Sequence, residues 1–334
     1  MNELPSRILE VSRDPLFKAV FPEKTTWMQT GRPLEPYGRH AGHAAFDRVG
    51  LTKALTGLIG RSFDFAVFPA VRARVPGDAH NKVKATSRRV LLRMSSNKVL
   101  TRAVGSILGL GSVRYMIRDV GDFPDLDEVG TAWLPDALLY SKREVLEPDL
   151  VDSPLAAPIV YTPMPFEFEP YEGFRGIEKT TDVFYAARPF GELRRQAEAV
   201  LADLASDGVS VDKPEGRIDF SEYLERMASA RLVVSPRGQG EHCYRHYEAL
   251  LVGSVPVINR PLLPVHYELR HGETCLFYDP TPGGLALQIR EALSDQERLQ
   301  QISDQGDRLV RSTHDKLAIC RLLLERAGYR PEPE

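Results

Sequence analysis

Cysteine is scarce and unpatterned in this 334-residue sequence: Cys243, Cys275 and Cys320 make an odd count, all in the second half, with no Cys-x-x-Cys step. That excludes a disulfide framework and a zinc ribbon, and it fits free thiols in a reducing compartment. Long apolar runs are missing as well. No uncharged stretch approaches the roughly eighteen apolar residues of a membrane-crossing helix, and the opening residues Met-Asn-Glu-Leu-Pro-Ser-Arg lack the basic and apolar regions of a secretory leader. The expectation is a cytoplasmic protein whose only membrane contact would be peripheral, at the inner face. Nor is there an excess of one charge: the formal net charge of -3 names no partner and gives no reason to expect nucleic acid. Internal repeats and low-complexity tracts are absent.

What is present is the composition of a soluble globular protein, 43% hydrophobic and 27% charged, in a chain long enough for two domains with separate cores. Local charge is uneven. Between Ala66 and Arg118 there are eleven Lys or Arg and one acid, Asp78; between Asp119 and Asp152, ten acids face only Lys142 and Arg143. The basic run suits an anionic acceptor or a membrane surface, and equally suits a solvated basic face.

Periodicity divides the chain. Residues 1–45 are rich in Pro, Gly and charge and read as a structured loop region. Helical spacing covers 46–59 and 97–108, and strand-like runs cover 63–71, 113–117, 136–140 and 159–161. The second half alternates more cleanly: strands at 182–186, 209–211, 231–234, 255–258 and 275–278 are separated by helical stretches, and Asp219 opens one of these with capping-box spacing to Glu222. Such alternation predicts a parallel sheet with helices on both faces, a Rossmann-like domain. The Pro- and Gly-rich stretch 162–180 marks the boundary before it.

Within this half, Ser235 to Asn259 reads as one strand-loop-helix-strand unit. Gly238 and Gly240 allow close backbone approach, and a helix beginning at Glu241 would aim its first N–H groups and positive dipole end into the same space, an anion site. On that helix Glu241, Arg245 and Glu248 would share a face. Arg can fork onto phosphate oxygens and a carboxylate can accept vicinal ribose hydroxyls. The plainer alternative is a solvated face with an ordinary Glu241–Arg245 pair worth about 0.2–0.5 kcal/mol.

The combination Y-L-E-R-M-A-S-A-R-L-V-V-S-P-R-G, R-H-Y-E-A-L-L-V-G-S-V-P-V-I-N and C-L-F-Y-D-P resembles the donor-binding half of GT-B glycosyltransferases, most closely the exostosin-like group. The pattern is carried by Pro236, Gly238, Arg245, Glu248, Ala249, Gly253, Pro256, Val257 and Ile258, and the resemblance covers about residues 180–312. It implies an α/β chain of two Rossmann-like domains facing a cleft: 1–165 for the acceptor, 166–312 for the nucleotide sugar, and a helix and tail at 313–334 that cross back. It implies, further, that Glu248 takes the ribose, and that Arg245 and the 235–240 loop, including Ser235, Arg237 and Gly238, take the diphosphate beside Glu241. Arg188, Arg194 or Arg195 could reach the same phosphates or be surface charge. The implied activity is transfer of a sugar from a nucleotide-diphosphate sugar to an acceptor hydroxyl, in polysaccharide or glycoconjugate synthesis, with no cofactor and no essential metal. The acceptor would be a carbohydrate or glycolipid.

Retaining GT-B enzymes typically carry a glutamate pair one residue further apart than Glu241 and Glu248, so an inverting reaction is expected. It needs a general base. Asp119, where a strand meets a loop, and His43, in G-R-H-A-G-H-A-A-F-D, are the candidates, with Asp122, His40 and Asp47 nearby. An Asp119 paired structurally, and histidines that serve only to hold the loop, are the alternatives. Asp125-Leu126-Asp127 does not directly end an apolar strand and is set aside as a metal motif. Two other readings stand beside the transferase: a nucleotide-sugar epimerase, and a non-catalytic nucleotide-sugar-binding protein.

Overall fold

The computed structural model describes residues 3–12, 15–29, 63–70, 113–122, 124, 126, 137–153, 155, 157–188 and 191–330. The helices expected at 46–59 and 97–108, most of the basic 66–118 run, and His40, His43, Asp47, Asp125 and Asp127 lie outside these residues. The chain divides into two compact units. Residues 1–121, 125–162 and 319–334 make the first, and residues 122–124 and 163–318 the second.

Unit 1 contains β1 (Ile8–Ser12), α1 (Phe17–Val20), β2 (Thr25–Gln29), β3 (Phe65–Pro69), β4 (Arg114–Asp119), β5 (Tyr140–Lys142), α2 (Glu147–Val151) and β6 (Ile159–Tyr161). The six strands pair in parallel in the order β2-β1-β3-β4-β5-β6. Alternate residues feed two cores. Leu9, Val11, Ala66, Phe68, Tyr115 and Ile117 turn to one face; Ile8, Phe65, Val67 and Met116 turn to the other, where Ile319, Cys320, Leu323 and Leu324 cover them. Those covering residues come from α8 (Lys316–Arg326), the last helix of the chain. Its end is fixed by Arg114, whose guanidinium donates to the Ala327 carbonyl at 2.8 Å and lies over the Tyr329 ring.

β1 and β2 occupy a stretch that composition assigns to loop. Each strand is only five residues long, and Glu10 interrupts the apolar run of the first. Glu10 is nonetheless fully buried, because its two oxygens accept from the Leu16 and Lys18 N–H groups at 2.8 and 2.9 Å and so cap the turn of α1.

Unit 2 contains β7 (Thr181–Phe184), α3 (Glu192–Ser206), β8 (Val211–Asp212), α4 (Phe220–Ala228), β9 (Ala230–Val234), α5 (Tyr244–Leu251), β10 (Val255–Asn259), β11 (Leu276–Tyr278), α6 (Gly284–Leu293) and α7 (Gln296–Thr313). Its five strands are parallel, in the order β11-β10-β9-β7-β8. Phe184, Val233 and Ile258 face α4, α5 and α7; Val183, Leu232, Val234 and Val257 face α3 and α6. Asp219 caps α4 by accepting from the Glu222 N–H at 2.9 Å. Gly253, at φ +85°, turns the end of α5 into β10. All three cysteines are free thiols. Among the described residues no helix is long and apolar enough to cross a membrane.

Strand order decides where a ligand would sit in unit 2. From β7 the chain winds first to β8 on one side, then to β9, β10 and β11 on the other. The crevice at the carboxyl ends of β7 and β9, where the winding reverses, is the place at which open α/β sheets bind ligands. The described residues that leave these two ends are 185–188 and 235–243.

Candidate functional site

The two loops are joined by Arg194, from the first turn of α3. Its Nε donates to the Arg237 carbonyl at 3.2 Å and one terminal nitrogen reaches the Arg188 carbonyl at 3.4 Å. The Tyr185 hydroxyl donates to the Arg194 carbonyl at 3.0 Å and anchors that turn. Arg194 packs close over Gly238: a Cβ there would lie 2.9 Å from the guanidinium and would push this side chain aside. Arg195 turns away and pairs at the surface with Glu192. Of the three arginines the sequence offered, Arg194 is thus the one placed between the loops, while Arg188 contributes its carbonyl and leaves its side chain exposed.

The 235–243 loop is held along its length. The Arg237 N–H donates at 2.7 Å to the amide oxygen of Asn259, fully buried at the end of β10, and Gly238 donates to Gly240 across the turn at 3.2 Å. The Arg237 and Glu241 side chains form an ion pair. This differs from the helix expected to begin at Glu241. α5 starts at Tyr244 because Cys243 is extended, at φ -131° and ψ 135°, so Glu241 belongs to the loop and only Arg245 and Glu248 lie on the helix.

Arg245, partly buried in the first turn of α5, reaches the Ser235 hydroxyl at 3.4 Å. Its Nε is buried and has no hydrogen-bond partner among the described residues. Burial pulls its pKa down, but the Cys243, Tyr223 and Glu248 side chains around it prevail and hold the guanidinium charged, above its usual range. Arg194 is shifted the other way, first by burial and then by the positive charge of Arg245. Two guanidinium groups therefore repel one another across the crevice. Glu248 is only 1% exposed and faces inward, accepting from the hydroxyls of Tyr223 at 2.8 Å and Tyr171 at 3.4 Å.

Beneath the loop lies a buried histidine pair. His246 places Nε2 3.0 Å from the Ser235 carbonyl and Nδ1 2.9 Å from the Tyr267 hydroxyl, which is also 2.9 Å from the Glu241 carbonyl. His242 donates from Nε2 to the His266 carbonyl at 2.9 Å and accepts the Tyr247 hydroxyl at 2.8 Å. Burial, then His242 and Arg245, push the His246 pKa down to about 3, so the ring is neutral near pH 7.

Asp119 is in unit 1, at the end of β4, and 4% exposed. Its Oδ2 meets the fully buried Lys142 ammonium at 2.9 Å and the Tyr140 hydroxyl at 3.0 Å, and its Oδ1 accepts the Gly121 N–H at 2.9 Å. Ser235, Arg237, Gly238, Glu241, Arg245 and Glu248 are brought together at the β9 end; Asp119 is not among them, and His43 is outside the described residues. Arg194, one of the three arginines the sequence offered, joins them, and so do Tyr223 and Tyr267, which were not singled out for the site. No group of three or more His, Cys, Asp or Glu side chains is placed to hold a metal ion among the described residues.

Residues 207–273, which span β8 to the turn before β11, match the family model described as the RXYLT1 C-terminal domain. No curated protein matches the chain. Solved structures similar over the whole length include a glycosyltransferase from Rickettsia africae, at 8% identity and a TM-score of 0.60, covering 98% of each chain. HepE from Anabaena in complex with UDP is similar at 10% identity and a TM-score of 0.59, over 96% of this chain and 99% of that one. A UDP-forming trehalose-phosphate synthase from Burkholderia xenovorans is similar at 9% identity and a TM-score of 0.58, over 97% and 99%. The fold is that of the GT-B glycosyltransferases, two Rossmann-like domains in one chain.

Proposed function

We propose that this GT-B chain is a glycosyltransferase that moves a sugar from a nucleotide-diphosphate sugar to an acceptor hydroxyl, with inversion and without an essential metal, in polysaccharide or glycoconjugate synthesis. The observation that carries this is the convergence of Arg194 and Arg245 on the Ser235–Glu241 loop at the strand-order reversal. Each guanidinium is held close to the other at a cost that a bound diphosphate would offset. The match of residues 207–273 to the RXYLT1 C-terminal domain covers this same loop and helix. UDP and UDP-glucose in complexes of the similar Anabaena protein make uridine the first nucleotide to try.

In the transfer, a base takes the acceptor proton as the acceptor oxygen bonds to the anomeric carbon. The bond from that carbon to the phosphate oxygen breaks, and the nucleoside diphosphate leaves with the electron pair. Arg194, Arg245 and the loop N–H groups stabilise the charge that grows on it. Glu248 fixes Tyr223 and adds negative charge beside Arg245, and would meet the ribose through a shift of the Tyr223 hydroxyl. Because Asp119 is already the partner of a buried lysine, we assign the base to His43. The basic run between Ala66 and Arg118 is assigned to an anionic carbohydrate or glycolipid acceptor, at the cytoplasmic membrane face.

A thermal-shift screen of UDP, dTDP, GDP and ADP and their sugars tests this. Ligand at a hundred times its Kd stabilises the folded protein by about 2.7 kcal/mol, so the donor's nucleotide should stand out, with UDP expected first. Arg194→Ala and Arg245→Ala should each weaken it about tenfold or more, as expected for hydrogen bonds between charged groups. His43→Ala should keep binding and lose transfer. No shift with any of the four, or shifts indifferent to Arg245→Ala, would overturn the reading, and a donor isomerised without acceptor would identify an epimerase.

A further inference from the structure

His246 and Tyr267 lie below the loop, and none of the transfer chemistry above uses them. Yet they touch both of its ends. His246 is fully buried and neutral, so its Nε2 donates to the Ser235 carbonyl and its Nδ1 accepts; the one proton of the Tyr267 hydroxyl is shared between that Nδ1 and the Glu241 carbonyl, each at 2.9 Å. Tyr267 comes from the segment after β10, and its ring is itself fixed, stacked on His242 at 4.4 Å between centroids and edge-on to Phe277 at 6.0 Å. A carbonyl oxygen is the negative end of the peptide dipole. Pinning the Glu241 carbonyl toward Tyr267 therefore keeps that oxygen from facing an anion. At the other end Pro236 has no N–H, so the Ser235 peptide offers only a carbonyl, and His246 takes it.

We propose that His246 and Tyr267 are positioning residues for the anion loop, a clamp that holds the Ser235 and Glu241 carbonyls inward, so that neither oxygen faces a bound diphosphate. The proposal rests on the donor-binding reading above. Its content is separate: affinity for the diphosphate depends on two side chains that do not touch it. A structural role alone would lower stability and leave the affinity of the folded protein unchanged.

Calorimetric titration with UDP, dTDP, GDP and ADP, far below each variant's melting temperature, separates these outcomes. Tyr267→Phe keeps the ring stacking and removes only the hydroxyl; its Kd for the nucleotide that binds wild type should rise about threefold to tenfold, the range of one hydrogen bond. His246→Leu should do the same, and His246→Gln, whose amide can still donate to the Ser235 carbonyl, should recover most of the affinity. Wild-type affinity in both Tyr267→Phe and His246→Leu would overturn the clamp while leaving the donor site standing. Failure of wild type to bind any of the four nucleotides would remove the donor site, and the clamp with it.

Discussion

Asp119 ends β4 and points to a lysine 23 residues further along the chain, on the neighbouring strand. With Lys142 fully buried, the carboxylate supplies the counter-charge that makes its burial tolerable, and removing one partner of such a pair typically costs about 3–5 kcal/mol. Asp119→Ala is expected to lose stability on that scale in urea unfolding. A variant as stable as wild type but inactive in transfer would return Asp119 to the role of base. The position of Asp119 at a strand end was legible in the sequence; its partner was not, since strand register brings the two together and composition carries no register. Arg194 shows the same limit. Three arginines near the start of one helix look alike in sequence, and only the helix's rotation about its axis decides that Arg194 faces the loops while Arg195 faces Glu192 and solvent.

At the scale of elements, α5 carries the site and α7 supports it from behind. The two helices meet at Gly306, fully packed against Leu250: an added Cβ would fall 2.3 Å from one Leu250 methyl carbon and 3.0 Å from its Cγ, so turning the methyls would not make room. Alanine in a helix ordinarily gains up to about 1 kcal/mol over glycine, but overpacking a full core costs about 1–3 kcal/mol. Gly306→Ala should therefore destabilise the protein, and, by displacing α5, weaken nucleotide binding; a raised melting temperature would refute the close contact. The alternation of strands and helices in unit 2 was readable because each element buries a clean period of two or 3.6. The start of α5 was not: Glu241, His242 and Cys243 continue its spacing, and the extended backbone at Cys243 leaves no mark in composition. β1 and β2 were missed for a related reason, a buried Glu10 and short length hiding the pattern.

For the molecule as a whole, a buried base and a half-buried one shape stability against pH, both with the same sign. His246 is held down to about 3 from 6.5 in the folded state, chiefly by burial. Between those values the unfolded chain binds the extra proton, so stability falls as pH drops from 6.5 toward 3. Lys179 is pulled from 10.5 to about 8, by burial first and then by Arg175 and Arg231. Between pH 8 and 10.5 the unfolded chain again holds more protons, and stability rises with pH through that window. Urea unfolding at pH 7, 8, 9 and 9.5 should show the alkaline rise in wild type and lose it in Lys179→Met. An identical profile in the two would mean that Lys179 titrates normally.

The last helix has a consequence for how the protein is made. Unit 2 is essentially one continuous stretch, 163–318, whereas unit 1 takes its covering residues Ile319, Cys320, Leu323 and Leu324 from beyond it. During synthesis, which runs from the N-terminus, the later unit can complete its core while the earlier one still waits. Ile8, Phe65 and Met116 stay uncovered on that face until α8 has left the ribosome, so residues made well before unit 2 are buried only after it.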